Sequence, residues 1–228
     1  MTNVPMAILE FVLLIVPAII LHEVAHGYVA YLLGDPTAKD RGRLTLNPIP
    51  HMDIIGTVVL PLLMLVTTGF AFGYAKPVPI NPYRMTKTTP ETGMLLTGAA
   101  GPATNIVLAV LTSGVYRLLA AYNALTPDNP PIPLLVMSLV LFFVTINLIL
   151  AFFNLIPIPP LDGSRVVQRF LSGRARELYG SIEPYGFMIV ILLLFVAPQF
   201  LGVDLLLEYL KATAYRLGSI LTGVGIGF

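Results

Sequence analysis

The sequence predicts an all-α polytopic membrane protein, and its composition and apolar pattern lead to that fold class. Of 228 residues, 56% are hydrophobic and only 11% are charged, whereas soluble domains carry about 25% charged residues. Apolar runs recur at about the 20 residues that a helix needs to cross a bilayer. The polar stretches between them are shorter than a separate domain of about 50 residues. Residues 1–228 are therefore interpreted as a single membrane-embedded domain.

Five strong apolar runs and one weaker run predict about five to six transmembrane helices. The strong runs are Met6–Leu21, Ile54–Phe72, Met94–Tyr122, Pro133–Ile156 and Tyr185–Leu201, and the weaker one is Val203–Ile226. The weaker run contains several charged residues, so it either spans the membrane or lies along the interface.

The distribution of basic residues predicts the orientation of the chain in a cell membrane. Basic residues follow the first run, and four arginines lie in the 157–184 stretch. The positive-inside rule places both of these regions in the cytoplasm. The 73–93 loop is also basic, although simple alternation would place it outside. We therefore predict that the 54–72 run is a re-entrant hairpin, entering the membrane and returning on the same side.

The stretch from Phe72 to Pro82 predicts a short β-strand or extended segment, because a residue before proline is disfavoured in helix. Prolines at alternate positions remove the N–H donors from one edge of this segment. The other edge keeps the N–H groups of Lys76, Val78 and Ile80. We predict that these three residues pair with an extended substrate.

Two features of the composition exclude other classes of protein. The chain has no cysteine, which excludes disulfides, thiolate metal sites and a cysteine nucleophile. Its net charge of +1 gives no broad basic surface, so nucleic acid is not an expected partner.

The HEVAH sequence in the first apolar run predicts a metal site. His22 and His26 stand four residues apart, so both imidazoles lie on one helix face, and Glu23 is placed to take a proton from water. The alternative to a metal site is that the two histidines share a helix face by chance and hydrogen-bond to each other. Polar groups inside a membrane run are costly, however, and such residues usually have a function. The pattern therefore favours zinc.

A catalytic zinc ion usually takes three protein ligands and a water molecule, so a third ligand is expected. Asp35 is a poor candidate, because it lies nine residues beyond His26 at a helix-ending turn. His51 lies in a turn-rich stretch, where it would contact the metal, the substrate or the transition state, or simply bind backbone at the membrane interface. Asp162 is the better candidate, since prolines end the preceding helix and turn the chain back. Its alternative role is to cap a short helix.

Three motifs in this order resemble the site-2 protease family of intramembrane zinc metalloproteases, peptidase family M50. They are HEVAH, GPATN (101–105) and NLIPIPPLDG (154–163), within segments 6–33, 94–122 and 132–172. The match is to the small form of the family that lacks PDZ and CBS domains. The resemblance implies one Zn²⁺ per chain held by His22, His26 and Asp162, with Glu23 as the general base.

Two asparagines in apolar runs are further candidates for the site. Asn154 lies eight residues before Asp162, and we predict that it contacts substrate or a developing oxyanion. Asn105 lies among small residues, where a helix-packing role is at least as well supported.

The sequence thus predicts an intramembrane zinc metalloendopeptidase that cuts membrane proteins in or near transmembrane segments, with its active site towards the cytoplasm. The expected partners are such a substrate and the lipid bilayer. A metal or proton transporter and a catalytically silent relative that only binds membrane proteins are the alternatives. No inverted repeat supports the transporter, and Glu23 argues against the silent relative.

Overall fold

The computed structural model describes residues 10–59, 62–63, 75–126 and 131–226. Its contacts divide the chain into two compact units, Met1–Gly93 and Met94–Phe228. The prediction of one domain stays a prediction, because compact units of a chain need not be independent domains.

The first unit is built on one long helix. The chain forms a π-helical turn over Phe11–Ile15 and then helix α1, Val16–Leu32. Pro17 follows the π turn, where the Val16 N–H donates to the carbonyl of Phe11, five residues back. Because proline lacks an N–H and clashes with the preceding turn, a wider turn suits this position. The short helix α2, Thr37–Asp40, follows α1.

The rest of the first unit consists of turns and an irregular segment. Single turns of 3₁₀ helix cover Ile49–His51 and Pro82–Arg84, and a π turn covers Ile54–Val59. Residues 75–81 have no regular structure, and we call this segment the strap. Of the two predicted alternatives for Phe72–Pro82, the β-strand is wrong over the described part, since none of the described residues forms a strand, and the extended segment stays a prediction. Prolines 77 and 79 remove the donors that a ladder needs.

The second unit contains two long helices and a series of shorter ones. The long helices are α3, Pro90–Leu125, which begins in the first unit, and α4, Leu134–Asn154. The shorter ones are α5 (Asp162–Gln168), α6 (Gly173–Gly180), α7 (Gly186–Ile191), α8 (Ala197–Leu201), α9 (Leu205–Leu210) and α10 (Arg216–Thr222). A 3₁₀ turn precedes α7 at Glu183–Tyr185, and π turns join α7 to α8 and α9 to α10 at Leu192–Val196 and Lys211–Tyr215.

A hydrophobic core joins α3 and α4 to the C-terminal helices. Its buried members are Ala109, Val144, Leu148, Leu206, Leu210, Ala214 and Tyr215. At the end of the chain, the Arg117 guanidinium donates to the carbonyls of Ile220 (2.8 Å) and Leu221 (2.6 Å). These are among the last carbonyls of a helix, which lack acceptor partners within it.

Three helices among the described residues are long and apolar enough to cross a membrane: Phe11–Leu32, Pro90–Leu125 and Leu134–Asn154. The protein is therefore a membrane protein, but five to six spans are not confirmed. The continuous helical stretch from Gly186 to Leu201 rises only about 24 Å at 1.5 Å per residue, less than a hydrocarbon core of about 30 Å. Most of the predicted re-entrant hairpin, residues 54–72, lies outside the described residues.

Gly98 of α3 marks a close approach to the start of α5. A Cβ atom there would lie 2.9 Å from Cβ of Arg165 and 3.2 Å from the carbonyl oxygen of Asp162. Neither contact involves the flexible end of a side chain. A side chain at position 98 would therefore push α5 away from α3.

We expect Gly98→Ala to destabilise the protein by about 1–3 kcal/mol through overpacking. Gly114→Ala in the same helix is the matched control, because a Cβ there meets no atom of the described residues within 4 Å. It should be neutral or stabilising, since alanine favours helix over glycine by about 1 kcal/mol. Thermal unfolding in detergent measures both, and equal melting temperatures for the two variants would contradict the close packing.

Candidate active site

The two histidines of HEVAH face each other on α1. Their Nε2 atoms lie 3.0 Å apart, and the rings meet edge to face with centroids 4.6 Å apart. Both side chains are buried. The 3.6-residue period of the helix places positions 22 and 26 one above the other, so the two nitrogens converge on one point.

The donor set and its spacing fit a metal ion. Zinc binds imidazole nitrogen at about 2.0–2.1 Å in tetrahedral geometry, which places two such nitrogens about 3.3 Å apart. The pair of His22 and His26 is within a few tenths of an ångström of that spacing. Ligand atoms of these histidines and Glu23 all lie within 4.8 Å of one another. Ligation would use both Nε2 lone pairs, so each ring would carry its proton on Nδ1.

Glu23 is held by the strap. Its Oε2 accepts the N–H of Val78 at 2.8 Å. The Val78 side chain is buried and packs beside Gly27, where an added Cβ would lie 2.9 Å from a Val78 methyl group and 2.8 Å from Leu44. Gly27 thus lets the strap and the preceding loop approach α1 directly after His26.

Three further contacts fix the strap within the first unit. The Lys76 N–H donates to the carbonyl of His51 at 2.9 Å, and the Lys76 carbonyl accepts Nη2 of Arg43. The Asn81 N–H donates to Oδ2 of Asp35 at 2.6 Å. The strap is therefore attached along its length to groups from three other parts of the first unit.

These contacts correct the premise that the N–H groups of Lys76, Val78 and Ile80 are all available to an extended substrate. The Lys76 N–H donates to the His51 carbonyl, and the Val78 N–H donates to the Glu23 carboxylate. Among the described residues, Ile80 alone of the three has an N–H with no acceptor. Binding of substrate by this edge stays a prediction, and pairing through all three residues would require the other two bonds to be exchanged.

His51 is buried and bound to its own loop. Its Nε2 lies 2.9 Å from the carbonyl oxygen of Thr45, and its Nδ1 is buried with no hydrogen-bond partner in the described part of the chain. It is not part of the metal-binding group found among the described residues, which consists of His22, Glu23 and His26. Its roles as a metal ligand and as a substrate contact both stay predictions.

Asp35 and Arg43 are the residues whose roles the sequence did not reveal. Asp35 is fully buried, and its Oδ1 accepts the Thr37 N–H at 3.0 Å and the Thr37 hydroxyl. The Asp-Pro-Thr turn was a detectable signal, because Asp commonly binds the backbone two residues on. Arg43 is one of the basic residues that follow the first apolar run, where the positive-inside rule predicts only a cytoplasmic location. Nothing in the sequence near it indicates burial.

In the second unit, Asp162 begins α5 and is buried. The N-cap position belongs to Leu161, and Asp162 is the first residue of the helix. Nη1 of Arg165 lies 3.6 Å from its Oδ1. A Cβ on Gly163 would lie 2.2 Å from the carbonyl oxygen of Leu155, so glycine after Asp162 lets the chain fold back on α4. The ligand role of Asp162 stays a prediction.

The two candidate asparagines, both in the second unit, have partners within their helices or across them. Nδ2 of Asn105 on α3 donates to Oδ1 of Asn147 on α4 at 2.8 Å, and both side chains are fully buried. This contact matches the helix-packing role. Nδ2 of Asn154 donates to the carbonyl of Leu150 at 2.9 Å. The role of Asn154 at an oxyanion stays a prediction.

Comparison with known proteins identifies the family. The model of "Peptidase family M50" matches residues 132–197. "Putative zinc metalloprotease YwhC" of Bacillus subtilis is 38% identical over 198 residues, which is 85% of this chain and 84% of that protein. "Putative zinc metalloprotease Rip2" of Mycobacterium tuberculosis is 30% identical over 208 residues, covering 88% of this chain and 74% of that protein. No solved structure matches the chain.

These relatives, together with the long apolar helices, support a metalloprotease with membrane helices. The chain belongs to peptidase family M50, the site-2 protease family that its motifs resemble.

Substitution of the two buried aspartates separates a metal ligand from a structural carboxylate. We expect Asp162→Asn to lower the bound metal by at least about tenfold, because a neutral amide is a poor zinc ligand. Asp35→Asn should keep the metal and lower the melting temperature, because an amide offers fewer acceptors for the Thr37 and Asn81 groups. Elemental analysis of purified protein measures the metal. Metal lost from the Asp35 variant and retained in the Asp162 variant would reverse the assignment.

Proposed function

We propose that the protein is an intramembrane zinc metalloendopeptidase that hydrolyses peptide bonds in or near transmembrane segments of membrane proteins. The observation that carries this proposal is the buried pair of His22 and His26 on a helix that can span a membrane. His22 lies about 16 Å from the start of the Phe11–Leu32 span and about 15 Å from its end, at 1.5 Å per residue. A protease site at this depth suits a membrane-embedded peptide.

His22, His26 and Asp162 would hold one zinc ion per chain. Two imidazoles and one carboxylate form a known catalytic zinc ligand set, which leaves a position for water or substrate. When bound, the zinc ion supplies a Lewis acid that polarises the scissile carbonyl and lowers the pKa of water. The relatives' names, which designate zinc metalloproteases, support this choice of metal.

Glu23 moves the proton. The Val78 N–H holds its Oε2, and Oε1 accepts no hydrogen bond from the described residues. Oε1 would take a proton from the attacking water and pass it to the leaving amine. The water oxygen adds to the carbonyl carbon, the carbon–nitrogen bond breaks, and the amine leaves protonated. No nucleophilic side chain is needed.

The substrate would be an unwound stretch of a membrane protein. A transmembrane helix hides its amides in its own hydrogen bonds, so it must open before a peptide bond can reach the site. Ile80 on the strap offers an N–H for such a stretch, and the Lys76 N–H would join it by leaving the His51 carbonyl, while the Val78 N–H stays on Glu23. Asn154, with Asn105 and His51 as weaker candidates, would bind substrate or the oxyanion.

We place the protein in the cell membrane with the active site towards the cytoplasm. Arg165, Arg169, Arg174 and Arg176 all follow helix α4, and cytoplasmic loops carry such an excess of basic residues.

The direct test compares wild type with Glu23→Gln, using a purified single-pass membrane protein as the substrate in proteoliposomes. Both should bind one zinc ion per chain, and the substitution should lower cleavage by about 10²- to 10⁴-fold, the usual contribution of a general base. Glu177→Gln, which changes an exposed carboxylate on α6, is the matched control and should cleave as wild type does.

Other results would contradict the proposal. Equal cleavage by wild type and Glu23→Gln would exclude the assigned base. Zinc binding without cleavage of any tested membrane substrate would indicate a silent relative, and zinc transport across the liposomes would indicate a transporter.

A further inference from the structure

Arg43 is a buried cation beside the general base, and the proposed chemistry gives it no role. Only 6% of its surface is exposed. Burial lowers the pKa of its guanidinium, while the negative charge of Glu23 acts in the opposite direction. Its Nε is buried and has no hydrogen-bond partner among the residues that the structure describes. Burying a charge with an unsatisfied donor is costly, so a positional requirement for this arginine is expected.

The contacts of Arg43 lead to Glu23 through the strap. Nη2 of Arg43 donates to the Lys76 carbonyl, and two residues later the Val78 N–H donates to Oε2 of Glu23. Pro77 lies between them and fixes its own φ angle. Because Pro77 restricts the backbone between them, a displacement of the Lys76 carbonyl would also displace the Val78 N–H.

The backbone of Arg43 is itself fixed. Its N–H donates at 2.8 Å to the carbonyl of Ala38, which is fully buried. Ala38 also lies against Gly27, where an added Cβ would be 3.0 Å from the Ala38 methyl group. The backbone of Arg43 is therefore bound to Ala38, and Ala38 packs against α1 at Gly27, the residue after His26.

We propose that Arg43 is a positioning residue for proteolysis: it anchors the strap at Lys76 so that the Val78 N–H fixes Oε2 of Glu23. This rests on the proposed function in assigning Glu23 as the base. With Oε2 fixed, Oε1 faces the water molecule. The carboxylate is then already oriented for proton transfer before the reaction begins. Arg43 contacts neither substrate nor metal in this role.

Two substitutions at position 43 test the role, with a matched control two residues away. Arg43→Met keeps the apolar stem and removes the charge and the donors, whereas Arg43→Lys keeps a cationic donor for the Lys76 carbonyl. Arg41→Gln changes an exposed arginine of the same loop and should resemble wild type. We expect Arg43→Met to retain zinc and lose about 10- to 100-fold in kcat, the range for a hydrogen bond to a charged group. KM should be unchanged, and Arg43→Lys should recover most of the loss.

Hydrogen exchange measures the strap without using activity. Residues 77 and 79 are prolines, so exchange over 76–80 reports only the N–H groups of Lys76, Val78 and Ile80. In Arg43→Met, exchange at Lys76 and Val78 should accelerate by about 10- to 100-fold, matching the same lost bond. Ile80, which lacks an acceptor among the described residues, should not change.

A double-substitution cycle tests whether Arg43 acts through the Val78 N–H. Val78→Pro removes this donor, and Val78→Ala keeps the donor while removing both γ-methyl groups of the buried side chain. If the route is correct, Arg43→Met should cost little further kcat in the Val78→Pro background and its full factor in the Val78→Ala background.

Three results would overturn the role of Arg43: unchanged exchange over 76–80 in Arg43→Met, loss of zinc from that variant, or a full additional loss of kcat in the Val78→Pro background. If wild type itself cuts no substrate, the proposed protease function fails. The exchange experiment still decides whether Arg43 holds the strap, so the two failures are distinguishable.

Discussion

The structure depends on placing two imidazoles one helical turn apart inside a membrane-spanning helix. Buried polar groups in such a helix are costly unless they bind one another or a metal, and the 3.0 Å separation of the Nε2 atoms of His22 and His26 satisfies that requirement. The fixed spacing also determines what surrounds it. Gly27 is needed beside the pair because Leu44 and the strap residue Val78 pack against it. Glu23, next to His22, accepts the Val78 N–H.

The strap connects distant parts of the first unit through its backbone hydrogen bonds. Its two prolines prevent a regular β-ladder, so its polar backbone groups bind side chains and loop carbonyls instead. Asp35, Arg43 and His51 supply these partners from separate parts of the chain. In a membrane protein such irregular backbone requires protein cover or a wet cavity, and these contacts provide the cover. The strap thereby becomes part of the environment of the Glu23 carboxylate, the proposed general base.

Sequence reasoning found the parts of the site that follow from local periodicity. The HEVAH spacing predicted the convergence of His22 and His26, and the apolar runs predicted the three long helices. It missed contacts between residues far apart in sequence, such as Val78 with Glu23 and Arg43 with Lys76. The proline pattern predicted a β-strand or extended segment, but it carries no information about which acceptors the N–H groups meet. Over the described part of this segment, side chains and a loop carbonyl bind the backbone and no strand forms.

The central claim is that His22 and His26 ligate one zinc ion together with a carboxylate oxygen. Zinc K-edge X-ray absorption of the purified protein tests it most directly. We expect two imidazole nitrogens at about 2.0–2.1 Å with the remaining ligands oxygen, and His26→Ala should leave fewer than two imidazoles on any residual metal. A wild-type spectrum with one imidazole or none, or one unchanged by His26→Ala, would contradict the account.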